Sequence, residues 1–199
     1  MSAVAFDNTM LSILLNPDGK PVYYPGTNSP VELARERAES VVADIEKARR
    51  KIILPAPALA ELLTAIGPDA QQYLTIIGRS RVFEIGNFDA RGAAELALLN
   101  RGVFAATDAR DKIDPYQKRK VDRQILAICK VYGVTDLYTD DKGMASRARL
   151  CGIVPVSLSE IPIPDAARQH ALALEPHEAL PEPESDGVTP PDQDDLSDD

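Results

Sequence analysis

The chain has 199 residues with 44% hydrophobic content, enough for one domain with a full core and too short for two comfortable ones. Aromatics make up 5% and tryptophan is absent, which argues against an extended base-stacking platform. The net charge of −9 is misleading: from Glu175 onward there are ten acids and no Lys or Arg, and without them 22 bases face 21 acids, about +1.

The first predicted element is a short buried strand, Ala3 to Phe6, followed by a helix from Thr9 to Leu15 that Asn16-Pro17-Asp18-Gly19 stops. A loop rich in Pro, Gly, Asn and Tyr covers residues 17–29. Ser29-Pro30 has the pattern of an N-cap with proline in the first turn, opening a helix to about Arg50. Its apolar stripe is Val31, Ala34, Ala38, Val41, Val42 and Ile45. Lys51 to Leu54 reads as a second strand. Pro57 opens a helix ending at Gly67, Pro68 opens another to about Ile77, and Arg81 to Ile85 is a strand. Asp89 to Leu99 is a helix, and residues 103–113 are polar and ambiguous. Asp114-Pro115 repeats the cap-and-proline pattern before a helix to about Tyr132, which Gly133 ends. Thr135 to Thr139 is a strand, Lys142 to Cys151 a helix, and Ile153 to Val156 a last strand.

Strands alternating with helices predict a three-layer α/β/α domain with a short-stranded, mainly parallel central sheet. It spans residues 1–165. Residues 166–199 read as an acidic, Pro-rich tail, expected to be disordered. Cys129 and Cys151 lack a paired spacing and read as small buried residues in a reducing compartment. His170 and His177 both lie near the tail, which disfavours zinc. No basic stretch leads into an apolar run at the N-terminus, and no segment approaches the ~20 apolar residues of a membrane span. The expectation is a cytoplasmic protein without a membrane partner.

Four acids stand out. Asp7 follows the run Ala3 to Phe6, and Glu61 lies inside Ala58-Leu59-Ala60-Glu61-Leu62-Leu63. Asp122 shares its helix face with Ile125, Cys129 and Tyr132, and Asp140-Asp141 ends the last long strand. A carboxylate at an element's end or on its core side is costly without compensation. In an open parallel sheet, ligands bind beyond the carboxyl ends of the strands, where Asp7 and Asp141 lie and which Glu61 can reach. Clustered carboxylates repel one another, and Mg²⁺ or Mn²⁺ removes the conflict. Such ions activate water and steady the leaving oxygen of a phosphodiester. Each acid also has a plainer reading. Asp7 and Asp141 suit helix caps, Glu61 a solvated face, and Asp122 a surface pair with Lys118 or Arg123.

With those positions in order, the chain resembles the PIN-domain (PilT N-terminal) nucleases, which include toxin ribonucleases of type II toxin–antitoxin systems. The resemblance covers roughly residues 3–158. It rests on Phe6-Asp7-Asn8-Thr9 with Leu11, Ile13 and Leu14, and on Pro57 to Leu62 around Glu61. Val121 to Ala127 around Asp122 and Leu137 to Met144 around Asp140-Asp141 complete it. It implies a metal-dependent endoribonuclease in which Asp7, Glu61, Asp122 and Asp141 are catalytic and bind Mg²⁺ or Mn²⁺. Asp140 is an extra ligand, and Asn8, Thr9 and Thr139 orient the carboxylates. It also implies an RNA substrate and a cognate antitoxin as partners. The segments 16–30 and 103–114 are longer than in compact toxin members, and the acidic tail is unusual.

Lys112, Lys118, Arg119, Lys120 and Arg123 surround Asp122 in sequence, and Lys142 follows Asp141. Positive charge beside a metal site suits a phosphate backbone, so Lys118, Arg119, Lys120, Arg123 and Lys142 are the expected RNA contacts. Lys47, Arg49, Arg50 and Lys51 form a second basic group. The apolar stripe of the long second helix suits a homodimer interface as well as it suits core packing. A catalytically silent RNA-binding or scaffold protein and a nuclease acting on structured DNA are the competing readings.

Overall fold

The computed structural model describes residues 2–16, 19–105, 115–165 and 167–168. The expectations for Lys112, Asp114, His170, His177 and the acidic tail fall outside these residues.

Five short strands build the centre: β1 (Ala3–Phe6), β2 (Ile52–Pro55), β3 (Phe83–Gly86), β4 (Val134–Tyr138) and β5 (Val154–Val156). They form one sheet in the order β3-β2-β1-β4-β5. Each pairing is parallel, with Val4 opposite Ile52 and Phe6 opposite Tyr138. Among the described residues seven α-helices connect and follow them: α1 (Asn8–Leu15), α2 (Ala34–Lys47), α3 (Ala56–Ile66), α4 (Ala70–Arg79), α5 (Ala90–Arg101), α6 (Tyr116–Val131) and α7 (Lys142–Leu150).

Side chains alternate across the sheet, so it has a core on each face. Val4, Phe6, Ile52 and Leu54 pack with residues of α1, α2 and α3. Ala3, Ala5, Ile53 and Leu137 pack with residues of α6 and α7. All four residues of β1 are buried, which is why that strand carries no polar alternation. The stripe residues Ala38, Val41 and Ile45 of α2 are spent in this core, the alternative to a dimer interface. Gly86 marks the tightest approach. A Cβ there would lie 2.6 Å from Ile128 Cγ2 and 2.8 Å from Ile53 Cγ2.

The start of α2 departs from expectation. Ser29-Pro30 does not cap it. The Val31 amide donates to the Val22 carbonyl and the Tyr24 amide to the Ser29 carbonyl, so residues 22–31 close into a turn. Tyr23 and Pro30 form an isolated antiparallel bridge. The helix begins at Ala34 after Leu33, whose φ of 51° is left-handed. A Ser-Pro pair serves a turn as readily as a helix start, and the pairing of residues 29–31 with Val22 to Tyr24 decided between them. Arg37 locks the junction: Nε donates to the Glu32 carbonyl at 2.9 Å, and Nη1 donates to the Ile161 carbonyl. It is 6% exposed, a buried cation held by backbone dipoles and not by an acid.

Among the described residues no helix is long and apolar enough to cross a membrane. Cys129 and Cys151 are both buried and unbonded.

Candidate functional site

The strand order reverses between β1 and β4, since the chain builds outward from β1 through β2 and β3 and then crosses back. Beyond the carboxyl ends of two such strands the loops diverge and leave a crevice. Asp7 ends β1 on one side of it, and Thr139, Asp140 and Asp141 follow β4 on the other.

Asp7 caps α1: its Oδ1 accepts from the amides of Thr9 (2.9 Å) and Met10 (3.2 Å). It is 6% exposed, and burial pushes its carboxyl up to about 7, against the pull of a hydrogen bond from Thr139 and the two amides. Thr139 in turn accepts from the Asp141 amide at 3.2 Å, so one hydroxyl links Asp7 to the β4 acids. Thr9 acts on Asp7 through its backbone amide. Asp141 caps α7 through the Met144 amide (2.8 Å), while its Oδ2 meets Lys118 Nζ at 2.6 Å. Burial alone would raise the Asp141 carboxyl, but Lys118 and the helix amides bring it below its ordinary value. Both acids therefore do serve as caps, and capping places them at the crevice.

Glu61 sits in the second turn of α3 with its side chain exposed. Partial burial and then repulsion from Asp122 and Asp141 raise its carboxyl, with an opposing pull from Lys118 and Asn8. These carboxylates, carried by three different helices, therefore share one field. Asp122 lies in the second turn of α6 and is 6% exposed. Its Oδ2 meets Arg147 Nη2 at 2.5 Å, with side-chain exposures of 9% and 6%. Burial still raises it above its ordinary value, against Arg147. The surface pairing with Lys118 or Arg123 gives way to this buried partner on α7.

Asp140 points elsewhere: its Oδ1 accepts from Ser157 Oγ (2.6 Å) and the Leu158 amide (3.2 Å). Its Oδ2 is buried and accepts no hydrogen bond among the described residues. Burial raises its carboxyl, and its charge adds to the upward push on Asp7.

No family model matches this chain, and no curated protein does. Solved structures do. VapBC2 from Rickettsia felis, bound to a DNA fragment from its promoter, aligns with a TM-score of 0.52 at 13% identity, over 78% of this chain and 98% of that one. The fold is PIN-like. DNA-bound VapBC from Salmonella typhimurium aligns at 0.48 and 13% identity, over 79% and 99% of the two chains. Mycobacterium tuberculosis VapC20, described as a toxin cleaving the sarcin-ricin loop, aligns at 0.45 and 15%, over 72% and 94%.

On this PIN-like frame the donor chemistry suits a hard divalent cation. Besides the Thr139 hydroxyl, the oxygens at the crevice are those of carboxylates; at its margin Asp140 turns Oδ1 to Ser157, and its buried Oδ2 has no hydrogen-bonding partner among the described residues. Yet among the described residues no group of three or more His, Cys, Asp or Glu is arranged to hold a metal ion. Asp122 and Asp141 each spend one oxygen on a base. Mg²⁺ is commonly held by one or two carboxylates with the remaining positions filled by water, so the donor set fits an ion held largely through water.

The predicted RNA contacts separate into two faces. Lys118 stands one turn before Asp122 and faces the acids. Arg119, Lys120 and Arg123 line a cleft between α5 and α6 instead. Lys142 is exposed at the first turn of α7. Arg147 is the buried partner of Asp122 that sequence reasoning missed. Its signal was present: with Met144 and Ala148 it forms the buried stripe of α7, a charge on a core face like Asp122.

Proposed function

We propose that the chain is a nuclease that hydrolyses RNA phosphodiesters with the help of Mg²⁺ or Mn²⁺. The observation that supports this reading is that Glu61 feels the charges of Asp122 and Asp141 from separate elements, while Asp7 ends β1 beside β4, where the strand order reverses, and is linked to Asp141 through Thr139. The PIN-like fold supports it. Asp7, Glu61, Asp122 and Asp141 would hold the ion, with Asp140 at the margin. Bound there, the ion would polarise the attacking water and the scissile phosphate.

The chain's own residues prepare that role. Thr139 and the first amides of α1 fix the Asp7 carboxylate. Arg147 fixes Asp122 through one of its carboxylate oxygens. Lys118, half-exposed on a flexible stem, neutralises Asp141 and lies ready to exchange it for a phosphate oxygen. A toxin role with a cognate antitoxin belongs to the same proposal, and an antitoxin that binds the purified chain and suppresses its cleavage would support it.

The test is cleavage of single-stranded RNA by the purified protein with Mg²⁺, Mn²⁺ or EDTA. Cleavage is expected with either ion and not with EDTA. Glu61→Gln and Asp7→Asn should lower the rate by roughly 100-fold or more, as loss of groups that hold or orient a metal does. A second reading has its own support, since both Asp122 and Asp141 are already neutralised by bases. A catalytically silent RNA-binding protein would show no cleavage with either ion and RNA binding that survives both substitutions. Faster cleavage of structured DNA than of RNA would reassign the substrate.

A further inference from the structure

Two bases sit on the acids of the crevice, and they are seated differently. Arg147 is buried together with Asp122. Lys118 meets Asp141 at 2.6 Å with side-chain exposures of 42% and 32%, so water reaches that pair. The two oxygens of Asp141 have separate partners. Oδ1 accepts from the Met144 amide at 2.8 Å and fixes the start of α7, while Oδ2 accepts from Lys118. The ammonium also acts beyond Asp141. Burial raises the Glu61 and Asp122 carboxyls, and Lys118 is among the charges that oppose the rise at both. One lysine thus stands in the field of three acids, carried by α3, by α6 and by the start of α7. Among the described residues, meanwhile, no three acids are spaced to hold a metal ion.

We infer that Lys118 is an exchangeable internal counter-ion: it occupies Asp141 Oδ2 until a divalent ion takes that oxygen, and so sets how tightly the crevice binds the ion. A divalent ion and an ammonium on one carboxylate oxygen repel each other, so one must leave. Asp141 Oδ1 is tied to the helix, which makes Oδ2 the oxygen they contend for. Arg147 cannot make way, because moving it would strand a charge in the core. Lys118 can: its stem is flexible, and its head already reaches water. Mg²⁺ and Mn²⁺ suit the exchange, since they take oxygen ligands, and Mg²⁺ retains water where a protein ligand is missing. Until the ion arrives, the lysine eases the repulsion among the acids. The inference rests on the reading of the crevice as a divalent-ion site and adds what regulates it.

The experiment measures Mn²⁺ binding to the full chain by electron paramagnetic resonance, following the loss of the free-ion signal at neutral pH. Lys118→Met should bind Mn²⁺ about tenfold more tightly than the wild type, because a charge close to the ion no longer opposes it. Lys118→Arg, which keeps the charge, should bind no more tightly than the wild type. Lys142→Met removes the same charge next to Asp141 in sequence, but from an exposed side chain with no ion pair among the described residues, and should change the affinity less than about threefold. Thermal melting gives a second readout without turnover. In EDTA, Lys118→Met should melt about 1–3 °C below the wild type, having lost the partner of Asp141, and in saturating Mn²⁺ the order should reverse. A surface pair with no part in ion binding would lower the melting point equally in both. Equal Mn²⁺ affinity in the wild type and Lys118→Met, or an equal gain in Lys142→Met, overturns this inference and leaves the nuclease reading standing. Tighter binding by Lys118→Met with no RNA cleavage by the wild type sinks the nuclease reading alone. No Mn²⁺ binding by either protein overturns both.

Discussion

Asp122 and Arg147 form an ion pair nearly sealed from water, with side chains 9% and 6% exposed. Removing one partner of such a pair leaves a buried charge uncompensated. Arg147→Met should therefore lower unfolding stability by about 3–5 kcal/mol in urea titration, and adding Asp122→Leu should recover most of the loss. Recovery would separate the cost of an orphaned charge from the loss of packing. Asp7 makes the pH prediction. Its folded carboxyl sits at about 7 against an ordinary 3.8, so between those values the folded state holds a proton that the unfolded state has lost. Its contribution is full below about pH 3.8 and disappears as pH rises through about 7. Asp7→Asn, neutral throughout, should remove that part of the decline in melting temperature between pH 5 and 8. Mn²⁺ at pH 8 should stabilise the wild type and have little effect on the variant.

At the scale of single elements, four of the described helices end at a residue of positive φ, and three of these are glycines, Gly67 (φ 72°) after α3 among them. Gly133 (φ 65°) follows α6, and Gly152 (φ 72°) follows α7. At the end of α2 the same geometry falls on Arg49 (φ 54°). The Arg49 amide reaches the Glu46 carbonyl and the Arg50 amide the Ile45 carbonyl, the double bond of a Schellman cap. Left-handed backbone costs an ordinary residue roughly 1–2 kcal/mol. Arg49 is exposed, so Arg49→Gly should raise stability in urea by about 1 kcal/mol. Element legibility follows the same chemistry. Gly133 could be read as a stop because its residue type matches its backbone, whereas Arg49 conceals its conformation. Asp89, read from the sequence as the first residue of the helix, instead caps α5 with bonds of 3.0 Å from the amides of Arg91 and Gly92. Ser29-Pro30 failed as a cap because its bonding is set by Val22 and Tyr24, residues that no local pattern joins to it.

For the whole molecule, strand and helix order was legible because double-sided burial leaves short apolar runs such as Ala3 to Phe6 and Ile52 to Leu54. Strand order is set by long-range pairing and was not legible. That β1 and β4 are neighbours, which opens the crevice, emerges only from the register of Phe6 against Tyr138. The carboxylates were legible as charges in apolar company. The bases that answer them were not: Lys118 reaches Asp141 across 23 residues, and Arg147 reaches Asp122 across 25. Sequence proximity drew Arg119, Lys120 and Arg123 toward the acids, and helical phase turns them away. The central claim is that this crevice holds a divalent ion among acids brought from distant parts of the chain. A crystal soaked in Mn²⁺ and measured at the manganese edge tests it most directly. The account predicts anomalous density between Glu61, Asp122 and Asp141, on the side that faces Asp7. A crevice without such density at saturating Mn²⁺, with Lys118 and Arg147 still seated on their carboxylates, would contradict it.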